Sequence, residues 1–399
     1  MQVIKENKVL MLWWAVAYVA AFSGYYKGSY ENFNESSIFK ADTLIYFSFS
    51  EFQKSELANY FDEKYEKHGF NGVVLIGQKD SIFYSNYYGY ANYEKRDTLN
   101  LNSSFELASV SKQFTAVAIL QLYEKGLLNL SDSIQKFYPE FPNEGITIHH
   151  LLTHRSGLAN YHYFMKKLPV VKDTVSYNQA FMYEFIKESP RAYYRPDRRY
   201  HYSNSGYAIL ASIVECVSGL PYNTYLNQNI FIPLNMTESF TYNDKANGNS
   251  ATNTQGYVNN QWRLAENNYL DHVLGDKGIF CSATDLFKWD QGLYKNIIIN
   301  IDTLHNAFKP LGKPQNFKSN YGYGWRMFDL NNDSIKVLFH GGWWHGYKTL
   351  LMRIQHDSTT IVVLKNRSRG AAINSNHILQ ILYPDVHAIS DSVAVEVEE

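Results

Sequence analysis

The stretch Phe105–Gly126 admits few structural readings. From Phe114 to Leu122 it is almost continuously apolar and built of helix formers, and Gly126 stands where a helix C-cap belongs. A helix apolar on nearly every side is buried on every side. The sequence therefore predicts a central helix over about Ser109–Lys125, with the rest of the chain packed round it. Ser109 and Lys112 fall one turn apart on the same side of its start. A hydroxyl and an ammonium stacked at the mouth of a buried helix add little to packing. Desolvation lowers a lysine pKa and makes the amine a proton acceptor for the hydroxyl. The helix N-terminus offers positive potential and free N–H groups to an oxyanion. The S-x-x-K spacing is not decisive alone: Ser37-Ile-Phe-Lys40 repeats it with no apolar helix around it. An N-cap serine followed by a first-turn lysine explains it equally well.

Composition narrows the field. With 37 basic and 38 acidic residues the net charge is close to zero, which argues against nucleic acid as a partner. At 399 residues and 45% apolar, the chain is long enough for two lobes and a large core. Met1–Lys8 is polar with two lysines, Val9–Phe22 is an apolar run, and small residues follow before Gly24. That is the pattern of a secretory signal, and an exported, periplasmic location is expected. The run is shorter than the ~20 residues of a membrane span. Extended through Tyr26 it approaches that length, so an uncleaved anchor with membrane association is the alternative. Cys216 and Cys281 are the only cysteines; an exported chain has the option of pairing them, and Cys216 also reads as a small buried hydrophobe. His149, His150 and His154 lie close together without a third ligand at metal spacing, so no metal and no cofactor are expected.

Along the chain, residues 24–50 read as a linker. Glu51–Lys67 carries Phe52, Leu57, Tyr60, Phe61 and Tyr65 at helical spacing. Gly72–Gly77 and Ser81–Tyr88 flank a three-residue turn and predict a β-hairpin. From Leu127 to about Tyr269 short helices dominate: Thr147–Leu152, Asn178–Glu188, Ser205–Val217 capped by Gly219, and one opened by Pro221. Asn-rich loops are expected over 242–260, and Ser282 with Asp285 suggests a capping box. Strands return over 322–328, 334–339, 347–354 and 359–364, followed by a helix over about 371–382 and an acidic tail over 386–399. The expected class is α+β: an antiparallel sheet from N- and C-terminal segments flanked by helices, with a helical lobe inserted between them. The boundaries are about 51–126 and 275–385 for the α/β part and 127–274 for the helical lobe, following a signal or anchor over 1–23.

Two further motifs give Ser109 and Lys112 a context. Tyr202-Ser-Asn204 sits between a Pro- and Arg-rich turn and an apolar helix, which separates it from the other Y-x-N tripeptides of the chain. His340-Gly341-Gly342-Trp343-Trp344-His345-Gly346 falls between two strands and reads as a glycine-rich turn whose backbone approaches a ligand. Together with Leu151-Leu-Thr-His154-Arg-Ser-Gly157, Ser282-Ala-Thr-Asp285-Leu and Tyr321-Gly-Tyr-Gly324-Trp, these motifs make the chain resemble the serine β-lactamase and penicillin-binding-protein superfamily over about residues 50–385. The branch it resembles holds class C β-lactamases, DD-peptidases and esterases.

The resemblance implies a serine hydrolase in which Ser109 forms an acyl-enzyme. Lys112 and Tyr202 share the general-base work, and Asn204 bonds the substrate amide or Lys112. The N–H groups of Ser109 and Trp343 form the oxyanion hole. Where the family often has K-T-G, this chain has His340-Gly341-Gly342, so a fixed charge and a hydroxyl are missing. Histidine is only partly charged near neutral pH. That favours an ester, an amide or a D-amino-acid peptide derived from peptidoglycan. A β-lactamase and a non-hydrolysing penicillin- or peptidoglycan-binding protein are the alternatives. Trp343 and Trp344 are expected to put aromatic bulk at the site.

Overall fold

The computed structural model describes residues 49–166, 168, 176–246, 254–311, 320–330 and 335–385. The N-terminal apolar run, most of the expected linker and the acidic tail lie outside these residues. No helix among the described residues is long and apolar enough to cross a membrane.

Helix α1 (Glu51–His68) opens on a capping box formed by Ser50 and Gln53 and closes on Gly69 in the left-handed region. It buries Leu57, Tyr60 and Phe61, while Phe52 and Tyr65, expected on the same apolar face, stay exposed. The hairpin β1 (Gly72–Gln78) and β2 (Ser81–Tyr88) follows as expected. The central helix α2 runs Ser111–Glu124 and is preceded by a 3₁₀ turn, Ala108–Val110. Ser109 therefore sits in the tight turn ahead of the α-helix, not within it. The turn begins with Ala108 in the left-handed region, φ +48°, a conformation a non-glycine residue holds only when its surroundings impose it.

The middle of the chain is helical: α3 (Ile148–Leu152), α4 (Tyr177–Glu188) and α5 (Asn204–Ser218). Pro221 caps the short helix Tyr222–Leu226 rather than opening its first turn. Tyr242–Ala246 forms a further helical turn where a loop was expected. Helix α6 (Ala283–Tyr294) is capped by Ser282, whose hydroxyl accepts from the Asp285 N–H. The Asp285 carboxylate does not return the bond; it accepts from Glu238 N–H and Ser239 instead, so half of the expected box is present.

The strands then resume as β3 (Asn320–Tyr321), β4 (Arg326–Leu330), β5 (Ile335–Trp344), β6 (Tyr347–Ile354) and β7 (Thr359–Lys365). Helix α7 (Ser375–Leu382) begins four residues later than its sequence pattern suggested. The sheet is antiparallel in the order β2-β1-β7-β6-β5-β4-β3, so the N-terminal hairpin joins strands from the far end of the chain through the β1–β7 ladder.

Alternation along the strands divides two apolar cores. Val73, Leu75, Leu338, Leu351, Val362 and Leu364 face a core built on α2 and the helical middle. Val74, Ile76, Val337, Phe339, Met352 and Val363 face a second core under α1 and α7. Cys281 is buried and Cys216 exposed, and both are free thiols, so no disulfide joins them and Cys216 is not the buried hydrophobe its helix suggested.

Candidate active site

The strand β5 is longer than its sequence reading. It continues through His340-Gly-Gly-Trp-Trp344, and the turn is confined to His345 and Gly346. Period-2 alternation then puts His340, Gly342 and Trp344 on the α2 side of the sheet and Trp343 on the other. The expected aromatic bulk of Trp343 is therefore directed away from Ser109, and its side chain is 39% exposed. Gly342 explains the glycine requirement. A Cβ there would lie 2.1 Å from the Leu107 carbonyl oxygen and 2.5 Å from Thr349 Oγ1. Thr349, on β6, donates to that same carbonyl at 2.8 Å. The nucleophile turn is thus pinned against the sheet by one glycine and one threonine.

Around Ser109 the geometry converges. Lys112 Nζ donates to Ser109 Oγ at 3.0 Å, to Asn204 Oδ1 at 2.8 Å and to the Asp276 carbonyl at 2.9 Å. Tyr202 OH donates to Ser109 Oγ at 2.9 Å. Asn204 is the first residue of α5, with Ser203 at its N-cap, so Tyr202 and Asn204 are held at the mouth of a buried helix. Lys112 is fully buried. Burial drives its pKa down to about 7; the Asp276 carboxylate opposes that shift and the Arg326 guanidinium reinforces it.

His340 is buried and lies beside this group. Its Nδ1 pairs with the Gly341 carbonyl at 2.7 Å, so Nδ1 carries a proton, and Nε2 is 3.1 Å from Tyr321 OH. Burial, then the cations Arg326 and Lys112, hold its pKa well below the usual imidazole range. His340 is neutral at physiological pH, with Nε2 accepting from Tyr321. The expectation of a partly charged histidine is corrected by its burial.

Several contributors were not singled out from the sequence. The His154 ring lies tilted against the Tyr202 ring, 4.2 Å between centroids, and its Nδ1 accepts from the Ser203 N–H. It sits at φ +54°, and it belongs to the Leu-Leu-Thr-His-Arg-Ser-Gly motif that the sequence displayed without a role. The Arg326 guanidinium lies 5.7 Å from the Tyr202 ring. Behind Lys112, Tyr161 OH donates to the buried Asp276 carboxylate at 3.2 Å, and Lys277 lies 3.9 Å from it. Burial by itself would raise the Asp276 pKa, but Lys277, His162 and Lys112 hold it below the ordinary carboxylate value. Trp344 Nε1 donates to Asp271 at 2.7 Å. The other two clustered histidines serve locally: His149 bonds Tyr323, and His150 completes the Thr147 cap.

A serine bonded to a buried lysine of lowered pKa and to a tyrosine, on an antiparallel sheet with a helical lobe, defines the class of serine β-lactamase-like proteins. Comparison with known proteins agrees. The β-lactamase family profile matches residues 57–382. A penicillin-binding protein of Bacillus subtilis (strain 168) is 34% identical over 328 residues, which span 79% of this chain and 72% of that protein. A D-aminopeptidase of Brucella anthropi is 24% identical over 308 residues, 76% of this chain and 57% of the relative. The solved octameric penicillin-binding protein homologue of Pyrococcus abyssi superposes with a TM-score of 0.68 at 26% identity, over 79% of this chain and 73% of that one. The chain belongs to the β-lactamase and penicillin-binding-protein superfamily of serine hydrolases.

Proposed function

We propose that the protein hydrolyses a D-amino-acid peptide, amide or ester through an acyl-enzyme on Ser109. The observation that carries this reading is the pair of hydrogen bonds, from Lys112 and from Tyr202, that meet on Ser109 Oγ. With a pKa near 7, a large share of Lys112 is neutral amine at physiological pH. The Ser109 proton passes to that amine, directly or through Tyr202, as Oγ attacks the carbonyl carbon. The C–O bond forms, the carbonyl π electrons move to oxygen, and the tetrahedral species collapses as the leaving group takes the proton. Water then attacks the ester with the same groups acting in reverse, releasing the acid and restoring Ser109.

The oxyanion site assigned here is the Ser109 and Trp343 N–H pair. It is supported by the ladders of β5: pairing with β4 stops at Phe339, whereas pairing with β6 continues to Trp344. From His340 onward one edge of β5 is left beside the nucleophile turn, and a substrate backbone fits there as an added strand. Neutral His340 supplies no cation for a substrate carboxylate, which supports amide and ester substrates over β-lactams. The D-aminopeptidase relative points to the same class. We assign the enzyme to an exported location on the pattern of Val9–Phe22; fractionation with an antibody to the chain tests it.

The deciding experiment is intact mass after exposure to a fluorophosphonate and, separately, to a penicillin, on the chain and on Ser109→Ala. One adduct per chain, lost in the variant, establishes the nucleophile. Turnover of D-amino-acid amides and p-nitrophenyl esters, with a long-lived penicillin adduct, supports the assignment. Rapid penicillin turnover replaces it with a β-lactamase. No adduct from either reagent in folded protein leaves a binding module.

A further inference from the structure

A cavity of about 180 Å³ lies on the face of the central sheet away from Ser109, between strands β6 and β7 and the segment that leads into α7. Leu350, Val363 and Ala371 form its apolar wall and are almost fully buried. Lys348 and Lys365 also line it, and they are direct cross-strand partners in the β6–β7 ladder. Two side chains so placed have Cβ atoms about 5 Å apart on one face, and like charges there repel.

Nothing in the described structure neutralises the pair. Lys365 is 5% exposed, and its ammonium donates to the Ala371 carbonyl. Lys348 is half-buried, and among the described residues no carboxylate stands within ion-pair distance of either ammonium. Burial, followed by the charges of Lys348 and Arg367, pushes Lys365 down to about 8. Arg367 is itself occupied by the carbonyls of Gly69, Asn259 and Asn260. A cation held in an apolar recess without a counter-charge costs stability unless an anion joins it.

We propose that this cavity is a binding site for a small organic carboxylate, its head between Lys348 and Lys365 and its apolar body against Leu350, Val363 and Ala371. The size sets the class: a cavity of about 150 Å³ holds benzene, so the recess accepts a single aromatic or branched aliphatic acid. Of the two hydroxyl residues in the lining, Ser368 and Thr349, Thr349 spends its hydroxyl on the Leu107 carbonyl. A mostly apolar wall with few donors suits a carboxylate with a hydrocarbon body better than a fully hydrated phosphate. The site is separate from the catalytic one, because Thr349, between Lys348 and Leu350, projects through the opposite face to the nucleophile turn.

The test is calorimetric titration of the full chain with sodium benzoate at constant ionic strength, alongside inorganic phosphate and sodium chloride. The proposal expects saturable binding of one benzoate per chain, weakened at least tenfold in Lys348→Met and retained in Ser109→Ala. Lys348 is half exposed, so its replacement leaves the fold intact by circular dichroism; Lys365→Met, which removes the buried charge, provides an independent second loss. Benzoate binding unchanged in both lysine variants overturns the site. Binding lost in Ser109→Ala overturns it too, because the acid then sits at the nucleophile. Saturable phosphate binding without benzoate binding overturns the carboxylate assignment, and so does the absence of saturation by any of the three salts.

Discussion

Lys112 governs the chemistry of the site through its ionisation. Its pKa near 7 lies below the ordinary value of 10.5, so the amine form grows in as pH rises through about 7. In the pH profile of kcat/KM, which reports free-enzyme groups, an ascending limb with an apparent pKa near 7 is expected. Its neighbours set its position with opposite signs. Arg326→Gln removes a cation that disfavours the ammonium and moves the limb to higher pH. Asp276→Asn removes the charge that favours the ammonium and moves it lower. A limb that stays in place in both variants would mean that another group titrates. The same shift acts on folding: between about pH 7 and 10.5 the native chain binds fewer protons than the unfolded one, so Lys112 makes stability rise with pH across that window. Tyr202→Phe keeps the ring on His154 but loses the hydroxyl on Ser109. Its kcat should fall by about 10²–10⁴ with little change in KM, the range of a lost proton-transfer group.

At the scale of elements, the site depends on how closely β5 approaches the Ala108–Val110 turn. Gly342→Ala places a methyl 2.1 Å from the Leu107 oxygen. Strand and turn must separate, and a displacement of about 1 Å at the reacting groups costs about 10² in rate. That loss should appear in kcat, while urea unfolding shows a smaller change; an active Gly342→Ala would show that the turn yields freely. This contact also marks where sequence reading stopped. S-x-x-K, Y-x-N and the third motif were legible because each combines reactive side chains with a local helix or strand signal. The hairpin, the central helix and four C-terminal strands were legible from periodicity. The third motif was read as a turn because two adjacent glycines resemble one locally. Gly342 is a glycine because of Leu107, over two hundred positions away, and no local pattern encodes that. His154 and Tyr321 were visible only as motif fragments and Asp276 not at all, since their roles arise from packing between elements. The charge of His340 likewise follows from burial, which the sequence alone does not reveal.

For the whole molecule, the decisive joint is between the helical layer and the sheet whose two faces carry separate cores. At that joint α6 holds Asp290 against Arg353 of β6, Nε to Oδ1 3.1 Å, with both side chains almost fully buried. Thr360 of β7 donates to the other carboxylate oxygen at 2.5 Å, and the guanidinium lies 4.2 Å from the Tyr294 ring. A buried pair of this kind adds modest net stability, but removing one partner leaves a charge stranded. Arg353→Met is therefore expected to cost about 3–5 kcal/mol in urea unfolding, and the double variant Arg353→Met, Asp290→Leu should recover most of it. Burial already raises the Asp290 pKa, and Arg353 is the main influence lowering it. Without Arg353 the folded pKa rises further above the unfolded value, so the native state binds the extra proton. The variant then loses stability as pH rises and regains part of it on acidification. A cost below about 1 kcal/mol that is flat with pH would show that water reaches Asp290, and that the helix–sheet joint rests on apolar packing of Leu286, Trp289 and Leu293 alone.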